Sequence, residues 1–207
     1  MTATIEFLSL AAITLGWFIS GQSTNDYKFI RNEKEISISS REIILEDGRA
    51  TRELRAEFTV NTNINRLISA IKEDKLSRQW MQGIEDFSVI SRSSENNWKA
   101  YIQYKIPWPL NNQDCIIDYT SIVSDNGNTY TIKLNGVPSY LPKKPGIERI
   151  THLSGRWVMK RVSDKSYKVV YTIYTEQKPK YPRWITDPIV QDNLINSMSA
   201  FRELTER

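Results

Sequence analysis

A chain of 207 residues, 40% of them hydrophobic and 25% charged, can bury one sizeable core and shows no compositional bias towards disorder or a collagen-like repeat. Its 28 Lys and Arg against 24 Asp and Glu leave a formal charge of +4 without a basic stripe, so no nucleic-acid partner is expected. A single cysteine, Cys115, and a single histidine, His152, exclude an internal disulfide and the usual Cys/His zinc sites; neither a metal nor a cofactor is expected.

Residues 1–23 differ from the rest. Phe7 to Ile19 is almost entirely apolar, yet shorter than the roughly 20 residues a spanning helix needs. Its length suits a signal-peptide core, with Ser20 and Gly21 small enough for a cleavage site, although Glu6 and the lack of Lys or Arg ahead of it are unusual for one. The expectation is an exported protein, periplasmic or extracellular, with a domain at residues 24–207. The alternatives are an uncleaved membrane anchor and an N-terminal helix packed on the domain.

From Tyr27 onward the pattern alternates. Ile36 to Leu45 is a first run; in the next, Leu54, Ala56, Phe58 and Val60 interleave with Arg55, Glu57 and Thr59. Helical spacing then takes over in Ile64, Leu67, Ile68 and Ile71, after a cap region at Asn61 to Asn63, and a short helix is expected over Leu76 to Met81 before Gly83. Alternation returns at Phe87 to Arg92, at Trp98 to Ile106, at Cys115 to Val123, at Tyr130 to Leu134, at Ile150 to Met159 and at Tyr167 to Thr175. Turn signals such as Asp47-Gly48 and Asn126-Gly127 between short runs imply an antiparallel sheet. The last stretch, from Tyr181-Pro182 to Arg207, carries the apolar stripe Val190, Leu194, Met198 and Phe201. The fold class is α+β: a curved antiparallel sheet wrapped around a long C-terminal helix, with a cavity where a curved sheet and a straight cylinder do not match.

Several local motifs, in order, resemble the START family of lipid-binding domains within the helix-grip (SRPBCC) superfamily, over nearly everything from Tyr27 to Arg207. Tyr27-Lys28-Phe29-Ile30 and Ile36 to Arg41 resemble the opening of that family, and Trp80 stands where it has a Trp after its paired helices. Pro107 to Asp114 resembles a loop that usually ends in Arg-Asp, Gly155-Arg156-Trp157 a "glycine, any, tryptophan" strand, and Pro182 to Ile185 the start of the closing helix. Two departures are Gln113, which replaces the Arg and puts a salt bridge at this loop in doubt, and Ser39, where an aromatic is common. The resemblance implies an apolar cavity under the C-terminal helix and the binding or transfer of a lipid such as a sterol or phospholipid.

The candidate ligand contacts are inward positions: Trp98, Ile102 and Tyr104; Ile117 and Tyr119; Ile132 and Leu134; Leu153 and Trp157; Val169 and Tyr171; and Val190, Leu194 and Met198 from the helix. The alternative is a cyclase- or hydrolase-like enzyme on the same fold, and a third reading is a packed domain that acts through protein contacts. For an enzyme, Cys115 would pair with His152, but strand parity puts Cys115 in the core and His152 on the opposite face from Leu153. Asp114 and Asp118 share a face and could do acid/base work or orient a ligand head; bracing the loop is the plainer role for Asp114. Lys143, Lys144, Lys178, Lys180 and Arg183 form either a solvated rim or a patch for transient contact with an anionic membrane surface.

Overall fold

A strand that buries one face and wets the other needs neighbours to complete its hydrogen bonds, and these strands find them in one sheet. The structure, a computed structural model, describes residues 26–106, 111–176 and 182–207. The apolar segment at 1–23, residues 107–110 of the Pro107 to Asp114 motif, Lys178, Lys180 and Tyr181 lie outside them.

The strands are β1 (Lys28–Glu33), β2 (Ile36–Ile44), β3 (Ala50–Val60), β4 (Ile84–Ser94), β5 (Asn97–Tyr104), β6 (Gln113–Ser124), β7 (Thr129–Gly136), β8 (Glu148–Arg149), β9 (Leu153–Ser163) and β10 (Ser166–Thr175). Their order across the sheet is β1-β2-β3-β10-β9-β7-β6-β5-β4, antiparallel throughout that path, with β8 alone pairing parallel to β6. The helices are α1 (Ile64–Lys72), α2 (Asp74–Trp80) and α3 (Arg183–Glu206). The architecture is therefore the helix-grip arrangement expected from the sequence.

Register decides what faces α3. Tyr171 of β10 sits between Ala56 of β3 and Trp157 of β9, and Trp157 is opposite Ile132 of β7. Tyr119 of β6 pairs with Leu134 of β7 on one side and Trp98 of β5 on the other. These inward side chains form one continuous core with Leu194, Ile195, Met198 and Phe201 of α3. Gly155 has to be glycine: a Cβ there would stand 2.4 Å from the carbonyl oxygen of Thr172 on β10.

Local chemistry sets the helix ends. The Asn63 side chain accepts from the amide of Arg66 at 3.0 Å and so caps α1. The Trp80 indole donates to the Ala70 carbonyl at 2.7 Å, which fixes the α1–α2 corner under the sheet. Inside α3, Pro188 cannot donate to the carbonyl of Trp184, so the first turns of this helix are the less bonded ones.

Three details depart from the sequence expectation. β1 forms a strand because the two-residue turn Lys34-Glu35, with φ of 51° and 59°, folds it back on β2. The run Ile150 to Met159 starts late, at Leu153, because the Ile150 amide bonds the Asp114 carbonyl beside β8 and leaves His152 in the connection. The second helix begins at Asp74, two residues before the expected start, and ends at Trp80. Among the described residues no helix is long and apolar enough to cross a membrane.

Candidate functional site

A curved sheet and a straight helix leave space where the side chains between them are shortest. Here that space is a pocket of about 220 Å³ between the concave face and the middle of α3. Leu54 of β3, Ile102 and Tyr104 of β5, Ile117 and Tyr119 of β6 and Leu134 of β7 form part of its wall, together with Trp157, Tyr171 and Ile173 of β9 and β10. Val190, Asn193, Leu194, Ser197 and Met198 of α3 close it from above, and Ile71, Trp80, Met81 and Gln82 complete one end. Among the described residues no Asp, Glu, Lys, Arg or His lines it.

A second pocket of about 380 Å³ continues it outward, past Ile106, Ile150 and Leu153, and shares Leu54, Gln82, Tyr104, Ile173, Val190 and Asn193 with the first. By itself the inner pocket is smaller than the roughly 300–1,000 Å³ of small-molecule sites, so a ligand of ordinary size needs both. The Arg52 guanidinium and the Asp187 carboxylate, both on the wall of the outer pocket, meet in a two-pronged ion pair at 2.8 and 2.6 Å. It ties the first half of α3 to β3.

Of the candidate contacts, all but Trp98, Ile132, Leu153 and Val169 line the inner pocket. Leu153 lines the outer one. Trp98, Ile132 and Val169 are fully buried core residues that line neither; Trp98 is stacked on Tyr119 with ring centroids 5.0 Å apart. Their parity gave the right face but not the position along the groove. Sequence reasoning did not single out Gln82, Asn193 and Ser197, since polar residues near a helix or turn carry no signal of facing a pocket. The Ser197 hydroxyl accepts from the Gln82 amide at 3.0 Å, which holds α3 to the end of α2.

Burial governs the titratable groups at the site. The Tyr104, Tyr119 and Tyr171 phenols are pushed above their ordinary range by loss of hydration, and the Cys115 thiol rises to about 12 for the same reason, helped by the Asp114 charge. All four are neutral at physiological pH. A thiol held protonated is a poor nucleophile, and its supposed base is elsewhere: His152 is exposed, bonds the Thr151 hydroxyl at 3.1 Å and lines a surface groove beside Ile43 and Glu46. The Cys115 and His152 pair does not assemble.

The carboxylates share a face as expected, but it is the face away from the pocket. Asp114 alternates with Cys115 and forms an ion pair with Arg149 at 2.6 and 2.9 Å, both side chains only 1% exposed. Arg149 also donates to the carbonyls of Pro138, Leu141 and Pro142, so the pair pins the loop after β7 over the outer face of β6. The salt bridge that Gln113 put in doubt is thus made with Arg149, a partner the sequence motif does not name. Asp118 pairs with Lys99 at 3.1 Å. Neither carboxylate can orient a ligand head in the pocket. Of the basic set, Lys143 and Arg183 are exposed, Lys144 lies 4.3 Å over the Tyr101 ring, and Lys178 and Lys180 are outside the described residues. Among the described residues no cluster of three or more His, Cys, Asp or Glu could hold a metal ion.

The sequence matches the START domain family over residues 5–207. The chain belongs to the START family. An uncharacterized protein from Pseudomonas aeruginosa is 23% identical over 209 residues, an alignment that covers 100% of both chains. The crystal structure of the STAR-related lipid transfer protein (fragment 25–204) from Xanthomonas axonopodis has a TM-score of 0.76 at 20% identity, over 87% of this chain and 99% of that one. Human StAR-related lipid transfer protein 5 gives a TM-score of 0.74 at 15% identity, over 89% and 88% of the two chains. START domains bind lipids or other apolar small molecules.

Proposed function

We propose that this START domain binds one apolar small molecule or lipid in the pocket under α3 and exchanges it through the outer pocket beneath the first half of that helix. The observation that carries the reading is a pocket walled mainly by aliphatic and aromatic side chains, with no charged residue on it among the described residues, closed by Val190, Leu194 and Met198 of α3. Such a wall rewards apolar surface removed from water and gives an acid/base reaction nothing to work with. Mass spectrometry of an organic extract of the purified protein is the test. One apolar compound recovered in near-stoichiometric amount supports the reading; an extract free of any compound, from protein that also takes up no probe, overturns it.

Two further parts of the proposal concern place. Export with removal of residues 1–23 rests on the apolar run Phe7 to Ile19 and on the small residues after it. N-terminal sequencing of protein from its native host checks it, and a mature chain beginning at Met1 or Thr2 contradicts it. Docking on an anionic membrane rests on the cations Lys143, Lys144, Lys178, Lys180 and Arg183 and on Trp184, which follows Arg183 in the sequence and is 77% exposed at the start of α3. Each such cation near an anionic surface contributes about 1 kcal/mol, screened by salt. Replacing all five by Gln is expected to weaken sedimentation with phosphatidylglycerol vesicles at low salt; unchanged sedimentation leaves these residues as a solvated rim.

A further inference from the structure

The apolar pocket has one polar region that burial of a hydrocarbon would leave unserved. Tyr104 of β5, Tyr119 of β6 and Tyr171 of β10 all line it. Two of the rings are held rigidly, Tyr119 stacked on Trp98 and Tyr171 packed against Trp157 with centroids 4.4 Å apart. Among the described residues none of the three makes a hydrogen bond, and none is sealed in the core: the buried side-chain atoms without a partner are Arg31 Nε, Trp98 Nε1 and Thr172 Oγ1. The phenolic oxygens therefore open onto the pocket, and their partners have to come from what fills it. Water can serve them while the pocket is empty of ligand.

The same wall rejects charge. A carboxylate, phosphate or ammonium seated there would lose its hydration with no Lys, Arg, Asp or Glu on the lining, among the described residues, to compensate. The other polar lining groups are differently placed. Ser197 already accepts from the Gln82 amide, and Asn193 is exposed to solvent. What suits three unpaired phenols in an uncharged pocket is a neutral oxygen with lone pairs to share.

We propose that the pocket selects an apolar molecule that carries one uncharged oxygen acceptor, a ketone or an alcohol, and seats that oxygen on the hydroxyl of Tyr104, Tyr119 or Tyr171. Its hydrocarbon part runs outward past Leu54, Ile173 and Val190, which the inner and outer pockets share. This rests on the reading of the pocket as a ligand site and adds the class of ligand.

The test uses delipidated protein at neutral pH and five probes of one chain length: n-decane, 2-decanone, 1-decanol, decanoate and decylamine. Binding is followed through the fluorescence of Trp80 and Trp157, both on the pocket wall. Phe keeps the tyrosine ring and its packing, so Y104F, Y119F and Y171F remove the hydroxyls alone. At least one of the three is expected to weaken 2-decanone and 1-decanol by about two- to tenfold, the weight of one neutral hydrogen bond, while leaving n-decane unchanged. Decanoate and decylamine are expected to bind at least about tenfold more weakly than 2-decanone, as unpaired ions do in apolar surroundings. Equal effects of the variants on decane and decanone, or decanoate as the tightest of the five, would overturn the inference while leaving the pocket as a ligand site. Failure of every probe to bind overturns the pocket reading itself, and this inference with it.

Discussion

From Leu194 to Glu206, α3 buries Leu194, Ile195, Met198, Ser199, Phe201 and Thr205; from Arg183 to Asn193 it buries none. The ring of Phe201 meets Trp157 at 4.9 Å, Trp80 at 5.2 Å and Phe58 at 6.3 Å, so the helix beyond Met198 closes on solid aromatic packing. Polar ties reinforce it: Thr62 donates to the Thr205 carbonyl at 2.5 Å, Lys34 to Asn196 at 2.7 Å, and Arg202 to Glu35 at 2.7 Å. Lys34 and Glu35 hold the left-handed turn of the β1–β2 hairpin, a conformation that costs residues with a Cβ, and both side chains clasp the helix. The first half rests instead over the outer pocket and shares the inner one with Leu194, Ser197 and Met198; it contains Pro188, leaves Val190 45% exposed, and is tied at its outer end by Arg52 and Asp187. One continuous helix thus serves as wall at one end and as cover at the other. The difference comes from what lies beneath each half and not from helix propensity.

The comparison breaks first at Phe201. Phe201→Ala in a filled aromatic cluster is expected to cost about 3–5 kcal/mol of unfolding free energy, since transfer and cavity terms add. Urea denaturation measures it, and a loss under about 1 kcal/mol would mean that the second half is as loosely seated as the first.

A sharper cut runs through adjacent residues of the same helix. Ile195 is 1% exposed and lines neither pocket, whereas Leu194 and Met198 line the inner one. Ile195→Trp is expected to overpack the core and cost about 1–3 kcal/mol. Leu194→Trp and Met198→Trp put the same ring where there is space, so delipidated protein is expected to keep its Tm within a few degrees while uptake of a fluorescent sterol is abolished. Delipidated samples are needed because bound ligand raises apparent stability by mass action. Three equally destabilised variants would show packed core under both positions.

Much of this division was legible in the sequence, and the reasons for the rest are physical. Alternation in β3, β5, β6, β9 and β10 identified the face turned to α3, because one step along a strand moves a side chain to the other side of the sheet. It could not say how far along the groove the helix is matched in shape, which is why Trp98, Ile132 and Val169 were grouped with residues that line the pocket. The Asp114 and Arg149 pair joins positions 35 residues apart, and β8 has only two residues, too few for any periodic signal. The tyrosines could be placed on the inner face by parity. That their hydroxyls lack partners depends on every neighbouring strand at once.

The smallest expected effect on stability, and the most specific to the cover half, belongs to the Arg52 and Asp187 pair. Both side chains keep about a quarter of their surface in water, 23% and 25%, so screening limits what the pair contributes to folding. Asp187→Asn keeps the shape and removes the charge, and a loss below about 1 kcal/mol is expected. Dynamics at this end are expected to change more than stability does. The outer turns of α3 bury nothing and lack the Pro188 hydrogen bond, so weakening their tie to β3 lowers the free energy of local opening without touching Phe201. Hydrogen exchange is therefore expected to accelerate over Thr186 to Asn193 and to stay unchanged over Phe201 to Thr205, with release of bound 2-decanone several times faster in stopped-flow fluorescence. Acceleration spread evenly along α3, or faster exchange with no change in release, would detach the opening of this half from ligand exchange and leave the helix as a single rigid wall.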